Sequence, residues 1–221
     1  MRKTPFVTGE YYHIYNRGVD KRIIFQDEDD LQRFYNGIEE FNAVEPIGSM
    51  YENSFVKRLG SEASKSKEDR LVSLVAHCAN PNHFHFILKQ DSEKGIEKFM
   101  QRIGTGYTKY FNNKYERSGS LFQGVFKSIH IDTNEYLLHL SAYVSLNNRV
   151  HQLGSEASKL VRSRSSWGEY TDGKNTGICE KNIILEQFDN ANEYKEFALS
   201  SLETVMQRRE ELRGVENFLL E

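Results

Sequence analysis

The stretch from Leu71 to Lys89 constrains the fold most. Two runs rich in aliphatic and aromatic residues, LVSLVAHC over 71–78 and HFHFILK over 83–89, flank a short segment containing Pro81 and Asn82. Runs of this length and composition bounded by turn residues read as strands, and so short a connection makes them an antiparallel hairpin. Side chains alternate along a strand, so His83 and His85 share one face while Phe84, Phe86 and Leu88 share the other. The hairpin therefore needs a hydrophobic layer behind it, and it presents two imidazoles in front.

The neighbouring segments supply that layer. Residues 10–17, EYYHIYNR, are aromatic and β-branched and stop at Gly18, which predicts a first strand and a turn. Leu31, Phe34, Tyr35, Ile38 and Phe41 recur at helical spacing within 28–43. Ile96, Phe99, Met100, Ile103, Tyr107, Tyr110 and Phe111 do so again, up to the break at Ser118-Gly119-Ser120. Residues 124–131, GVFKSIHI, read as a strand. Asp132 with Glu135 predicts a capped helix running to about Val150. The order β-α-β-β-α-β-α predicts an α+β fold, ferredoxin-like and of the split βαβ type, with a central antiparallel sheet backed by helices. From Ile183 the chain reads as a helical, acidic C-terminal extension.

Composition excludes several classes. No apolar run approaches the ~20 residues of a spanning helix, so no membrane association is expected. The N-terminal stretch has no apolar segment of the secretory type. The two cysteines, Cys78 and Cys179, cannot build a disulfide framework, and a reducing, cytoplasmic setting is expected. The net charge of −3 is unevenly spread. Between Lys94 and Lys127, seven basic residues face two acidic ones; between Glu180 and Glu221, ten acidic residues face five basic ones. A near-neutral average thus leaves room for a basic face, although a solvated helix face reads the same way.

The heptapeptide LGSEASK occurs twice, at Leu59–Lys65 and Leu153–Lys159. It is too short for a structural repeat, which takes ~20 residues or more. Both copies fall in expected loops, where insertions are tolerated. We read them as translated copies of a short mobile DNA repeat.

The chemistry-bearing residues lie in two places. His83 and His85 could offer two nitrogens to one metal ion, or simply form a polar strand face. In the helix after Asp132, Tyr143 and Asn147 are four residues apart, which puts them on one helical face. The asparagine carbonyl is a hard ligand suited to Mg²⁺ or Mn²⁺, and the phenol oxygen can act as a nucleophile. Tyr136, Leu140, Tyr143 and Val144 also fit a plain core stripe.

Four blocks in order carry a resemblance: YHIYNRGVDKRIIF, HCANPNHFHFILKQ, FMQRIGTGYTKYFNNKYERSGSLFQGVFKS and EYLLHLSAYVSLNNRVH. Over roughly residues 9–182 the chain resembles the single-tyrosine HUH transposases, most closely the REP-associated tyrosine transposases. The resemblance implies a transposase domain over 1–182, with loop insertions near 44–70 and 153–165, followed by the extension at 183–221. It implies that His83, His85 and Asn147 bind a divalent metal, Mg²⁺ or Mn²⁺, and that Tyr143 is the catalytic nucleophile. Where many relatives read Asn-Pro, this chain has Asn147-Asn148. The implied activity is cleavage and rejoining of single-stranded DNA next to hairpin or palindromic repeats, through a 5′-phosphotyrosine intermediate. The implied partners are that DNA and a second copy of the chain in a homodimer.

Arg17, Lys21, Lys98, Arg102, Lys109, Arg117 and Lys127 are candidates for DNA backbone contacts. Tyr107 and Tyr110 compete with Tyr143 as nucleophiles, but their spacing favours core packing or DNA contact. Three other readings are a non-cleaving hairpin-DNA-binding protein, an HUH-type replication initiator and a zinc-stabilised domain. Two histidines without paired cysteines make the last a poor fit.

Overall fold

The computed structural model describes residues 5–46, 70–150, 163–172 and 178–218. Both LGSEASK copies and most of the two loop insertions lie outside these residues. The elements are β1 (Tyr11–Arg17), α1 (Glu28–Glu40), β2 (Val72–Asn80), β3 (His83–Gln90), α2 (Gly95–Lys114), β4 (Lys127–Ile131), α3 (Asn134–Ser145), α4 (Asn147–Val150), β5 (Arg164–Ser165), α5 (Trp167–Thr171), α6 (Asn182–Leu185) and α7 (Ala191–Phe218). A 3-10 turn at Val19–Lys21 follows β1.

The sheet order is β4-β1-β3-β2-β5, antiparallel throughout. Its first four strands have the ferredoxin-like order, so the expected fold class holds. The hairpin pairs Asn80 with His83, and β1 pairs Tyr15 with His85. One face of the sheet carries Tyr12, Ile14, Phe84, Phe86 and Leu88 against the apolar faces of α1 and α2. Burying each large side chain there stabilises the fold by roughly 1.5–3 kcal/mol. The other face carries Val75, Cys78 and Ile87 against α3, α5 and α7. Tyr194, Ala198 and Leu202 of α7 are part of this second core, so the start of the C-terminal helix packs on the sheet domain.

Three local details differ from the expected elements. The strand over 124–131 begins only at Lys127, because Gly124 turns the chain at φ 67°. Helix α3 is capped by Thr133, not Asp132; the Thr133 hydroxyl accepts from the Tyr136 amide at 3.2 Å. The same helix does not run to Val150. It ends at Leu146, whose backbone leaves helical values and whose side chain is fully buried, and a short α4 starts at Asn147. Tyr143 and Asn147 therefore do not share one continuous helical face.

Candidate active site

Strand β3 presents His83 and His85 on the face opposite Phe84 and Phe86, as alternation requires. Helix α3 crosses this face. The half-buried Tyr143 ring meets the His85 ring edge-on, with centroids 5.9 Å apart, and the His13 ring at 6.5 Å. Tyr15 stacks on His85 at 5.6 Å. These groups open into a cavity of about 530 Å³, lined by Tyr15, Arg17, Lys21, His83, His85, Gln123, Lys127 and Tyr143 among others.

Both imidazoles are oriented by neighbours. His83 Nδ1 lies 2.6 Å from the Asn82 side-chain oxygen, an acceptor, so Nδ1 carries the hydrogen and Nε2 a lone pair. His85 Nδ1 lies 2.9 Å from His13 Nε2, on the neighbouring strand. Burial pushes the His13 imidazole down to about 4. Burial also holds His83 below the ordinary histidine value, assisted by the Arg17 charge and opposed by the Asn147 contact. A neutral His83 keeps its Nε2 lone pair for a metal, as ligation requires.

Asn147 is fully buried and sits behind the cavity wall. Its Oδ1 lies 3.1 Å from His83 Nε2, so two lone-pair atoms face each other. The buried Asn80 amide nitrogen donates to both, at 3.0 Å and 2.8 Å. Asn147 Nδ2 is buried with no hydrogen-bond partner. This donor set fits a divalent cation: two imidazoles and an amide carbonyl, already close together. With no carboxylate in the set, a bound cation would keep its full charge for an anionic substrate.

The basic candidates divide. Arg17, Lys21 and Lys127 line the cavity with the histidines and Tyr143. The Arg17 side chain donates to Gln123, and the Gln123 amide returns to the Arg17 carbonyl at 2.8 Å. Lys98, Arg102, Lys109 and Arg117 do not line it. Lys98 is exposed on α2. Arg102 donates to the carbonyls of Phe41, Ala43 and Val44 at the end of α1. Lys109 borders a separate groove beside α2. Arg117 holds Asn112 and the Ser120 carbonyl.

The competing tyrosines lie on the opposite side of the sheet. Tyr107 donates to the Ile24 carbonyl, and burial raises its phenol far above the ordinary value. Tyr110 donates to Asp30, and burial raises its phenol as well. Asn80 and His13 were not among the sequence candidates. Their roles depend on sheet register; the signal for His13 was its alternation with Tyr15 on a strand beside the histidine pair.

The family model described as "Transposase IS200 like" matches residues 48–166, just over half of the 221 residues. The chain belongs to the IS200-like transposases. A search of the curated proteins finds no match. Among solved structures, this transposase is similar to a REP-associated tyrosine transposase bound to a REP hairpin. The two share 14% identity at a TM-score of 0.49, over 80% of this chain and 87% of that one. Among its described residues, the transposase has no helix long and apolar enough to cross a membrane.

Proposed function

We propose that this transposase cleaves and rejoins single-stranded DNA, with Tyr143 as nucleophile and a divalent metal held by His83, His85 and Asn147. The observation that carries the reading is the cavity itself. Two tyrosines, Tyr15 and Tyr143, two histidines and three cations, Arg17, Lys21 and Lys127, line one concave surface. Neutral ligands beside free positive charge suit a phosphodiester, which brings its own negative charge.

Each side chain has a defined task. Arg17, Lys21 and Lys127 hold backbone phosphates and orient the strand. Tyr143 attacks the scissile phosphorus, and its phenol proton passes to solvent or a nearby base. The bond to the 3′-oxygen breaks as the 5′-phosphotyrosine forms. The phosphoester is conserved, so a 3′-hydroxyl can later reverse the step and release Tyr143 without an energy source. His13 and Asn82 keep the imidazole tautomers fixed. A divalent metal held by His83, His85 and Asn147 would supply Lewis-acid charge to the phosphate.

Tyr143 and the histidines meet within one chain, so the proposed chemistry needs no tyrosine from a second copy; a homodimer would serve strand exchange. The hairpin or palindromic repeat as substrate rests on the sequence resemblance. The same resemblance supports a transposase domain over 1–182 with an extension at 183–221.

The test uses labelled single-stranded DNA from repeats flanking the gene, with Mg²⁺ or Mn²⁺. Wild type is expected to form a denaturant-resistant protein–DNA adduct that chelator abolishes and Tyr143→Phe does not form. An adduct undiminished in Tyr143→Phe refutes the assignment. Tight hairpin binding without any adduct would favour the non-cleaving binder.

A further inference from the structure

A second cluster of ligand atoms lies away from the cavity, at the β2 edge of the sheet. A bulge between Leu74 and Ala76 shifts the register of β2. Beyond it, Ala76 and Cys78 point to the α3 side, and His77 points toward α1. Bulges re-aim side chains in this way. His77 is 2% exposed and meets Glu169 of α5, which is 4% exposed. The half-buried Cys179 comes in from the segment before α6. One ligand atom from each residue, an imidazole nitrogen, a carboxylate oxygen and a thiol sulfur, lies within 4.8 Å of the other two.

The hydrogen bonds around the cluster set its chemistry. The Tyr35 hydroxyl donates to the Arg164 carbonyl at 3.1 Å and lies 2.8 Å from His77 Nδ1. Its single hydrogen is then committed, so Nδ1 is the donor to the phenol oxygen. That tautomer turns the Nε2 lone pair toward Glu169 Oε1, 3.4 Å away. A proton or a cation can bridge two atoms so placed. The Lys181 ammonium reaches the Glu169 backbone carbonyl, and the Cys179 amide lies 3.4 Å from Glu169 Oε2.

We propose that His77, Glu169 and Cys179 form a structural zinc site, separate from the metal held at the histidine pair. Zinc takes imidazole nitrogen and carboxylate oxygen at about 2.0–2.1 Å, which puts two such ligands about 3.4 Å apart in a tetrahedron. His77 Nε2 and Glu169 Oε1 already have that separation. The carboxylate and a thiolate balance the two charges of zinc. As the sulfur–zinc bond forms, the Cys179 thiol loses its proton to solvent. The fourth position would fall to water. The Tyr35 hydroxyl is the outer partner that zinc-bound histidines generally have on their other nitrogen.

The site cross-links β2 to α5 and residues 178–180, with His77 and Glu169 92 positions apart in the chain. It also braces the helix that carries Tyr143. Ser166 bonds the backbone of His77, and its hydroxyl lies 2.9 Å from that of Ser145 at the end of α3.

Cobalt substitution of the full chain distinguishes the two metal sites, because only a thiolate ligand gives a strong near-ultraviolet sulfur-to-cobalt band. Wild type purified without chelator is expected to retain one zinc per chain and to develop that band when zinc is exchanged for Co²⁺. Cys179→Ser should lose the band and bind zinc at least tenfold more weakly; Tyr35→Phe should weaken zinc by about 10–100-fold. Cys78→Ser and His83→Ala should keep both the band and the zinc. Absence of the band in wild type overturns the proposal without any variant. Its survival in Cys179→Ser, or loss of the zinc in His83→Ala, overturns it equally.

Discussion

Replacing Asn80 with alanine separates what the apo site needs from what the metal needs. Asn80 is buried, and its amide hydrogens lie between His83 Nε2 and Asn147 Oδ1. Its removal deletes two hydrogen bonds of about 1 kcal/mol each and leaves the Asn147 oxygen buried beside a nitrogen lone pair. An unpaired buried acceptor adds about 1–3 kcal/mol, so Asn80→Ala should cost the metal-free protein about 3–5 kcal/mol. That lowers the folded-to-unfolded ratio roughly 140- to 3,700-fold. A cation bound by the same two atoms must displace the amide hydrogens in wild type but not in the variant. Saturating Mn²⁺ should therefore stabilise Asn80→Ala more than wild type, by about 1–2 kcal/mol. Urea denaturation of both proteins, with Mn²⁺ and with chelator, reads both quantities. An equal or smaller Mn²⁺ effect in the variant would refute the idea that the amide competes with the metal.

Other expectations concern the scaffold and the basic groups. Asp30 is fully buried and accepts from Lys114 at 2.9 Å, so Lys114→Met should destabilise the chain by about 2–4 kcal/mol in chemical denaturation. Burial acts to raise the Asp27 carboxyl, but hydrogen bonds from Lys114, the Asp30 amide and Tyr115 outweigh it and leave it below its ordinary 3.8. Its contribution is present above pH 3.8 and is lost as pH falls through the lower folded value, so Lys114→Met should flatten that acid limb. Arg17→Ala with Lys127→Ala should reduce the slope of log affinity against log salt for single-stranded DNA by about 1.4, two phosphates at about 0.7 each. Lys98→Ala, away from the cavity, should leave that slope unchanged in the same titration.

The hairpin, the two amphipathic helices and the order of elements were legible because period-2 and helical patterns report burial directly. His83, His85 and Tyr143 were legible as chemistry, and the structure brings them to one cavity. The break at Leu146 was not legible, since leucine is a good helix former; burial of Leu146 and capture of the Asn147 carbonyl override local preference. His13 and Asn80 depend on which residues pair across the sheet, which spacing along one strand does not encode. His77, Glu169 and Cys179 are joined only by tertiary structure, through a bulge that turns His77 over.

The central claim is that Tyr143 takes the DNA strand. Its most direct test is peptide mapping by mass spectrometry of the protein–DNA adduct, after nuclease digestion to a short 5′-phosphorylated remnant. The remnant is expected on Tyr143, within the peptide that also contains Asn147. A remnant on Tyr107, Tyr110 or any other residue would contradict the account.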